Sequence, residues 1–342
     1  MKLYGGIDLH SNNSVIHIID DQGDSQLKKK VTNDLAAIVT LLKPFQDKLT
    51  GLVVESTYNW YWLVDGLMEA GFKVHLANTA AIQQYSGLKH GDDDRDANWL
   101  ANMLRLSILP TGYIYPKEQR MQRDLLRKRM QLVQQKTANM LSIQGLYDRH
   151  LNRRINSNKL KQLTLAQIDN DFDDPNVRLA IGGNLIVQNC LAQQIKAIEA
   201  SLKLQLKLTP EFIQLTSIDG IGLTLALTIM LETGDIKRFD QVGHYASYCR
   251  CVSGARYSNG KKKSSTNTKN GNKYLAWAFI EAANFAIRYN DTIKRYYQKK
   301  LAKTKVVIAR KTVAHKLARA CFYVLRDQVE FDVNKAFGCS KC

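Results

Sequence analysis

Leu3-Tyr4-Gly5-Gly6-Ile7-Asp8-Leu9-His10 is an apolar run broken by one acid near its end, and two further strand-like stretches, SVIHIIDD (residues 14–21) and SQLKKKVT (25–32), follow it. Ser11-Asn12-Asn13 and Asp21-Gln22-Gly23-Asp24 are turn formers, so the three runs read as an antiparallel meander. A helical segment from Asn33 to about Lys48 leads into GLVVEST (51–57), an apolar β-branched run of the kind that fills a central strand. A helix from Asn59 to Ala70, a strand in FKVHLAN (72–78) and helices spanning about Ala80 to Leu109 complete the unit.

The order β-β-β-α-β-α-β-α is that of an RNase H-like α/β fold, which sets the fold class expected for residues 1–110. After Pro110 and Pro116, residues 117–157 read as one long basic helix and Val177 to about Leu208 as a second, with the acidic stretch Asp169 to Asp174, ended by Pro175, as the tip between them. Residues 111–209 are therefore expected to form a helical, coiled-coil connector or dimerisation arm. From Pro210 the pattern is mainly helical; residues 210–330 are read as a second domain and 331–342 as a tail.

Composition narrows the function. Hydrophobic residues at 45 % and charged residues at 23 % are ordinary for a globular protein, and no apolar run reaches the ~20 residues of a membrane span. MKLYGGIDLH has no apolar signal core, so the expected location is the cytoplasm. Six cysteines in a chain of this kind argue against a disulfide framework; Cys249 and Cys251, with Cys339 and Cys342, are read as buried or tail thiols rather than as a zinc site. Lys and Arg outnumber Asp and Glu by 49 to 31, and most of the resulting +18 lies in residues 261–320, where 16 basic residues meet only Glu281 and Asp291. Such a block draws phosphate backbones through counterion release, which points to nucleic acid.

Acids are the first candidate chemistry. Asp8 ends one strand, Glu55 ends the buried strand of GLVVEST, and Asp92, Asp93, Asp94 and Asp96 crowd a helix start. Each has an ordinary use as a turn cap, an ion-pair partner or a complement to the helix dipole. An ionised carboxylate at the end of an apolar strand is nevertheless costly unless paired or metal-bound, and carboxylates converging on one sheet edge can hold two divalent ions for phosphoryl chemistry. Magnesium suits an all-oxygen set, with manganese as the alternative. Asp93 and Asp96, three apart on a helix, share a face.

The second candidate lies downstream. Gly220-Ile221-Gly222 sits between two helical patterns like a helix-hairpin-helix, where glycines let backbone N–H groups approach a phosphate; a tight interhelical turn is the equal alternative. SGARYSNGKKKSSTNTKNGNKYL (253–275) reads as a polar loop, and a serine among Arg256, Lys261, Lys262 and Lys263 could act as a nucleophile toward phosphate.

GIDLH, VVESTYNW and DDDRDANWLANMLR together resemble the Asp-Glu-Asp-Asp signature of the transposases of insertion sequence family 110 and the related pilin-gene invertases. The resemblance extends from about residue 4 to residue 328. It implies a RuvC-like domain whose metal-binding acids are Asp8, Glu55, Asp93 and Asp96, with Asp92 and Asp94 as neighbours in rival registers, and a basic residue, Lys89, upstream of them. In the second domain Thr268-Lys269-Asn270-Gly271-Asn272 matches the family's Thr-Lys-x-Gly-Asn motif, and counting back from it implies Ser258 as the nucleophile, ahead of Ser253, Ser264 and Ser265. The corresponding implied contacts to nucleic acid are Lys89, Gly220, Gly222, Arg256, Lys261, Lys262, Lys263, Lys269 and Lys273. Arg250-Cys251-Val252-Ser253-Gly254 departs from the Gly-Leu-Thr-Pro expected before the loop. The resemblance further implies donor and target DNA as partners, a bridge RNA as guide, a homo-oligomer (dimer or tetramer) and a prokaryotic cytoplasm with action at the nucleoid. A junction-resolving nuclease, or an invertase without RNA, would use the same acids; a non-catalytic nucleic-acid binder would not need them.

Overall fold

The computed structural model describes residues 1–79, 81–82, 93–206, 209–252, 254–265 and 270–338, which form two compact units, Met1–Lys117 and Glu118–Cys342. In the first unit β1 (Leu3–Leu9), β2 (Asn13–Ile19) and β3 (Ser25–Thr32) form the expected meander. They are followed by α1 (Leu35–Leu42), β4 (Leu49–Glu55), α2 (Tyr61–Glu69), β5 (Val74–Ala77), α3 (Asp93–Arg105) and the two-residue β6 (Thr111–Gly112). The sheet order is β3-β2-β1-β4-β5-β6. Strands β1, β4 and β5 run parallel, and β2, β3 and β6 pair antiparallel with their neighbours. Asp34 caps α1 through the N–H groups of Ala36 and Ala37, but Pro44 makes residues Lys43–Lys48 a 3-10 turn where the pattern predicts continuous helix.

Period-two alternation gives the sheet two faces. Leu3, Ile7 and Leu9 of β1 and Leu52 and Val54 of β4 pack with Ile38, Leu42, Leu63, Val64 and Leu67 of α1 and α2. On the opposite face α3 lies directly against β1. A Cβ on Gly6 would stand 2.0 Å from the Ala97 carbonyl oxygen and 2.8 Å from the Ala101 nitrogen, so only glycine admits the helix at this distance. Val53 and Leu100 meet on that face too, and Asp8 and Glu55 belong to it by alternation.

The second unit opens with α4 (Lys117–Leu151) and α7 (Pro175–Leu206). Gln122 bonds to Gln205, Arg129 to Glu199 and Asn184 to Ser142, so the two helices run antiparallel. The segment between them is more than a tip: α5 (Ser157–Leu160) and α6 (Leu165–Asp171) bury Leu160 and Ile168 beside Ile143, Tyr147, Ile181 and Leu185. Pro175 opens α7 instead of ending the stretch before it. The remainder is α8 (Pro210–Thr216), α9 (Leu223–Thr233), α10 (Val242–Tyr248), a hairpin of β7 (Ala255–Ser258) and β8 (Lys261–Ser265), α11 (Lys273–Tyr289), α12 (Asp291–Leu301), α13 (Val306–Asp327) and α14 (Val333–Phe337). Its core is Leu225, Ile229, Tyr245, Phe279, Leu317 and Phe322, packed against the alanines of α11. No helix among the described residues is long and apolar enough to cross a membrane.

Candidate active site

Asp8 and Glu55 occupy adjacent strand ends. The parallel register pairs Ile7 with Val54, which sets the next residues of β1 and β4 side by side on the face covered by α3. Asp8 is 3 % exposed, and its Oδ2 lies 3.2 Å from His10 Nε2. Glu55 is half-buried and shares a hydrogen bond with Asp8. Burial first, then that bond and the negative charges of Asp8 and Asp96, push the Glu55 carboxyl up to about 7. Two carboxyl groups can hydrogen-bond only when one carries a proton, so the pair as it stands is short of positive charge. Asp93 opens α3, and Asp96 follows in its first turn with Ala97 seated on Gly6. Among the described residues no three His, Cys, Asp or Glu side chains form a metal-holding group; the Asp93 side chain is outside that description, as are Asp92 and Lys89. The fit to a divalent cation rests on the converging oxygens of Asp8 and Glu55, the nearness of Asp96, and the charge deficit that such an ion would relieve.

His10 was missed by the sequence reading, although its place two residues after Asp8 puts both on one face. Its carbonyl oxygen accepts from Asn33 Nδ2 and Asn59 Nδ2, each at 3.0 Å, which ties the end of β1 to the segment after β4. Gly6, Ala97 and Ala101 were also overlooked as the contact that carries the acids of α3 to the strand ends.

The serine segment is a hairpin, correcting the expected loop. Ser258 pairs with Lys261 across Asn259 and Gly260, whose φ values are +50° and +71°. Two central residues with positive φ make a turn whose twist matches the strands, and Asn-Gly is its preferred sequence. Ser258 is thus at the hairpin tip and exposed, with the exposed Lys261 opposite it; Lys263, also exposed, is the extra residue of a β-bulge between the pairs Tyr257–Lys262 and Arg256–Ser264. Arg256 pairs with Ser264, and Tyr257 with Lys262, in the register. Lys269 and Ser253 lie outside the described residues.

The segment after the hairpin is locked. Asn272 caps α11 by accepting from Tyr274 and Leu275 N–H, and its Nδ2 donates to Glu232 Oε2 at 2.7 Å. Glu232 is buried and takes a two-pronged bond from Arg127 of α4, at 2.6 and 2.7 Å. Lys273, next to the cap, is exposed with its ammonium 5.1 Å from the Tyr274 ring centre. Gly220 has a packing reason, since a Cβ there would come 2.5 Å from the Ala282 carbonyl oxygen of α11. At Gly222, the N-cap of α9, a Cβ would meet nothing, and this residue makes no side-chain cap bond to the helix. Cys249 and Cys251 are buried, and burial pushes the Cys251 thiol up to about 12; Cys339 and Cys342 lie outside the described residues.

A mixed sheet in this order, with acids at the ends of its two central strands and a helical remainder, is consistent with the RNase H-like class of enzymes. Residues 5–151 match a family model described as Transposase, of the DEDD type of IS110, and residues 214–298 match the Transposase IS116/IS110/IS902 family. The chain belongs to this family of transposases and is an enzyme of DNA strand cleavage and transfer. Members of the DEDD family generally use divalent metal ions. No curated protein matches the chain.

Proposed function

We propose that this transposase cuts and rejoins DNA through two sets of residues, the acids Asp8, Glu55, Asp93 and Asp96 in the first unit and Ser258 in the second. The pair of buried Asp8 and half-buried Glu55 carries this reading, because two carboxyl groups brought together at strand ends under an acid-bearing helix are costly to fold and suit cation binding. The four acids would hold magnesium, or manganese in its place, as a pair of ions. When bound, these ions supply charge stabilisation to the phosphate oxygens. Asp8 is fixed by its strand and by His10, and Asp96 by the seating of α3 on Gly6, so the oxygens are preorganised.

Ser258 attacks the phosphorus: its oxygen forms a bond to phosphate, the sugar oxygen leaves, and the serine proton ends on that leaving oxygen. A strand end bearing a free hydroxyl then attacks the phosphoserine, restoring a phosphodiester and the serine. Lys261, opposite Ser258, favours the phosphate's negative charge, and Lys263 adds to it from further along the same strand. Arg256, Lys262, Lys269, Lys273, Lys89 and the turn of Gly220 and Gly222 serve as contacts to the nucleic-acid backbone. A bridge RNA selects donor and target DNA, and the chain acts as a homo-oligomer in a prokaryotic cytoplasm; the family resemblance supports this part, and the basic block of residues 261–320 supports the contact with nucleic acid.

Purified protein, with co-purifying RNA retained, is incubated with labelled element-end DNA and Mg²⁺ and run on a denaturing gel. Protein-linked DNA in the wild type, absent from Ser258→Ala and Asp8→Ala, is expected. Linkage that survives Ser258→Ala overturns the nucleophile assignment, and cleaved but unlinked DNA in the wild type supports a nuclease. Loss of linkage after RNase treatment, restored by the RNA, tests the guide.

A further inference from the structure

A cavity of about 790 Å³ opens in the second unit where α12, α13 and α14 meet, and nothing proposed above uses it. Its size is that of small-ligand sites, ~300–1,000 Å³. Its walls combine rings and cations. Tyr296 of α12, Tyr323 of α13 and Phe331 of the connecting segment supply flat apolar surface, and Lys316, Arg319 and Lys335 supply positive charge.

Three acids also line the cavity: the exposed Glu330, and Asp327 and Asp332, whose oxygens are engaged by neighbours. Asp327 is paired with Arg326 at 2.6 Å, and Asp332 accepts from the N–H groups of Asn334 and Lys335 at the start of α14. Lys316 is held in place: its ammonium donates to the Ala336 carbonyl at 2.7 Å and stands 4.9 Å from the Tyr296 ring centre. Arg319 is exposed, and no carboxylate pairs with it among the described residues. Burial, with Arg319 and Lys316 alongside, holds His315 on the same wall below the usual imidazole range. An anion with an attached planar ring answers both features at once.

We propose that this cavity binds a single unpaired nucleotide, its base against Tyr296 and Tyr323 and its phosphate toward Arg319 and Lys335. Aromatic faces beside a cationic track are how proteins hold unstacked bases. A base paired within a duplex cannot offer its ring to such a wall without leaving the stack. The proposal deepens the reading of the second unit as nucleic-acid binding, and it depends on neither Ser258 nor the metal.

The test is photocrosslinking of the full-length protein to a single-stranded oligonucleotide carrying one 5-iododeoxyuridine, with adducts mapped by peptide mass spectrometry. The comparison arms use the same sequence as a duplex and free 5-iododeoxyuridine monophosphate. Adducts on the peptides bearing Tyr323 or Tyr296 are expected, about tenfold weaker from the duplex. Arg319→Ala and Tyr323→Leu should lower the yield about tenfold and Tyr323→Phe should restore it; both positions are exposed, so the fold, checked by circular dichroism, should survive. Labelling of the same peptides by the free nucleotide, with none from the strand, supports the site and assigns it to free nucleotides. Adducts confined to residues 255–273 overturn the cavity while leaving the basic segment's role intact. A yield unchanged by Arg319→Ala, or equal from duplex and single strand, also overturns it.

Discussion

The acid end of the sheet and the serine hairpin both place a polar group at the end of a strand, but different things hold the strand. Asp8 is on a central strand with neighbours on both sides, an apolar core beneath and α3 pressed against Gly6 above. Ser258 is on a two-stranded ribbon, at an exposed tip. In the proposed function the difference has a purpose: carboxylates that repel one another need a rigid frame to be held together, whereas a serine proposed to attack a phosphate gains reach from an exposed tip. The rigidity of the second region lies just past its hairpin instead, in the Arg127–Glu232–Asn272 network that fixes the start of α11.

Breaking the first region at its packing contact should have the largest effect. Gly6→Ala drives a methyl into the backbone of α3, which cannot yield as a side chain would; a loss of about 3 kcal/mol or more is expected in denaturant melts, with strand transfer abolished. Glu232→Ala comes next. It leaves Arg127 and Asn272 without their shared partner and should cost about 3 kcal/mol, with the chain still folded by circular dichroism at low temperature. Gly260→Ala separates turn strain from packing, because its Cβ would meet nothing and only the positive φ resists; about 1 kcal/mol, read as roughly fivefold faster amide exchange in β7 and β8 with little change in the global melt, is expected.

The smallest effect is a pH dependence. Glu55 binds its proton more tightly in the folded chain than in the unfolded one, so its contribution to stability is present at low pH and is lost as pH rises toward and through about 7. Metal-free protein should therefore melt at a falling temperature from pH 5 to pH 8, Glu55→Gln should flatten that slope, and Mg²⁺ should raise the melting temperature most at the alkaline end. Water screens this half-exposed group, which keeps the slope shallow. A slope identical in wild type and Glu55→Gln would remove Glu55 as its origin.

Much of the first unit was legible because its signals are local. Turn residues at 11–13 and 21–24 delimit the meander, and β4 ends at Glu55 as its apolar run predicts. The Asn259-Gly260 turn was equally local but was masked by the lysines and hydroxyls around it, which read as loop. Pro44 and Pro175 were signals read in part, one shortening a helix and the other starting one.

The sequence by itself determined the order of elements along the first unit, the placing of Asp8 and Glu55 at strand ends, and the concentration of positive charge after residue 260, because alternation, turn chemistry and composition act over a few neighbouring residues. Tertiary structure alone decided that Gly6 receives Ala97 and so brings Asp96 toward Glu55, that Gly220 is spent on packing against α11, and that Glu232 links Arg127 to Asn272 across 145 positions of chain. Those contacts join residues far apart in sequence, and their energies depend on burial and distance, which no local pattern encodes.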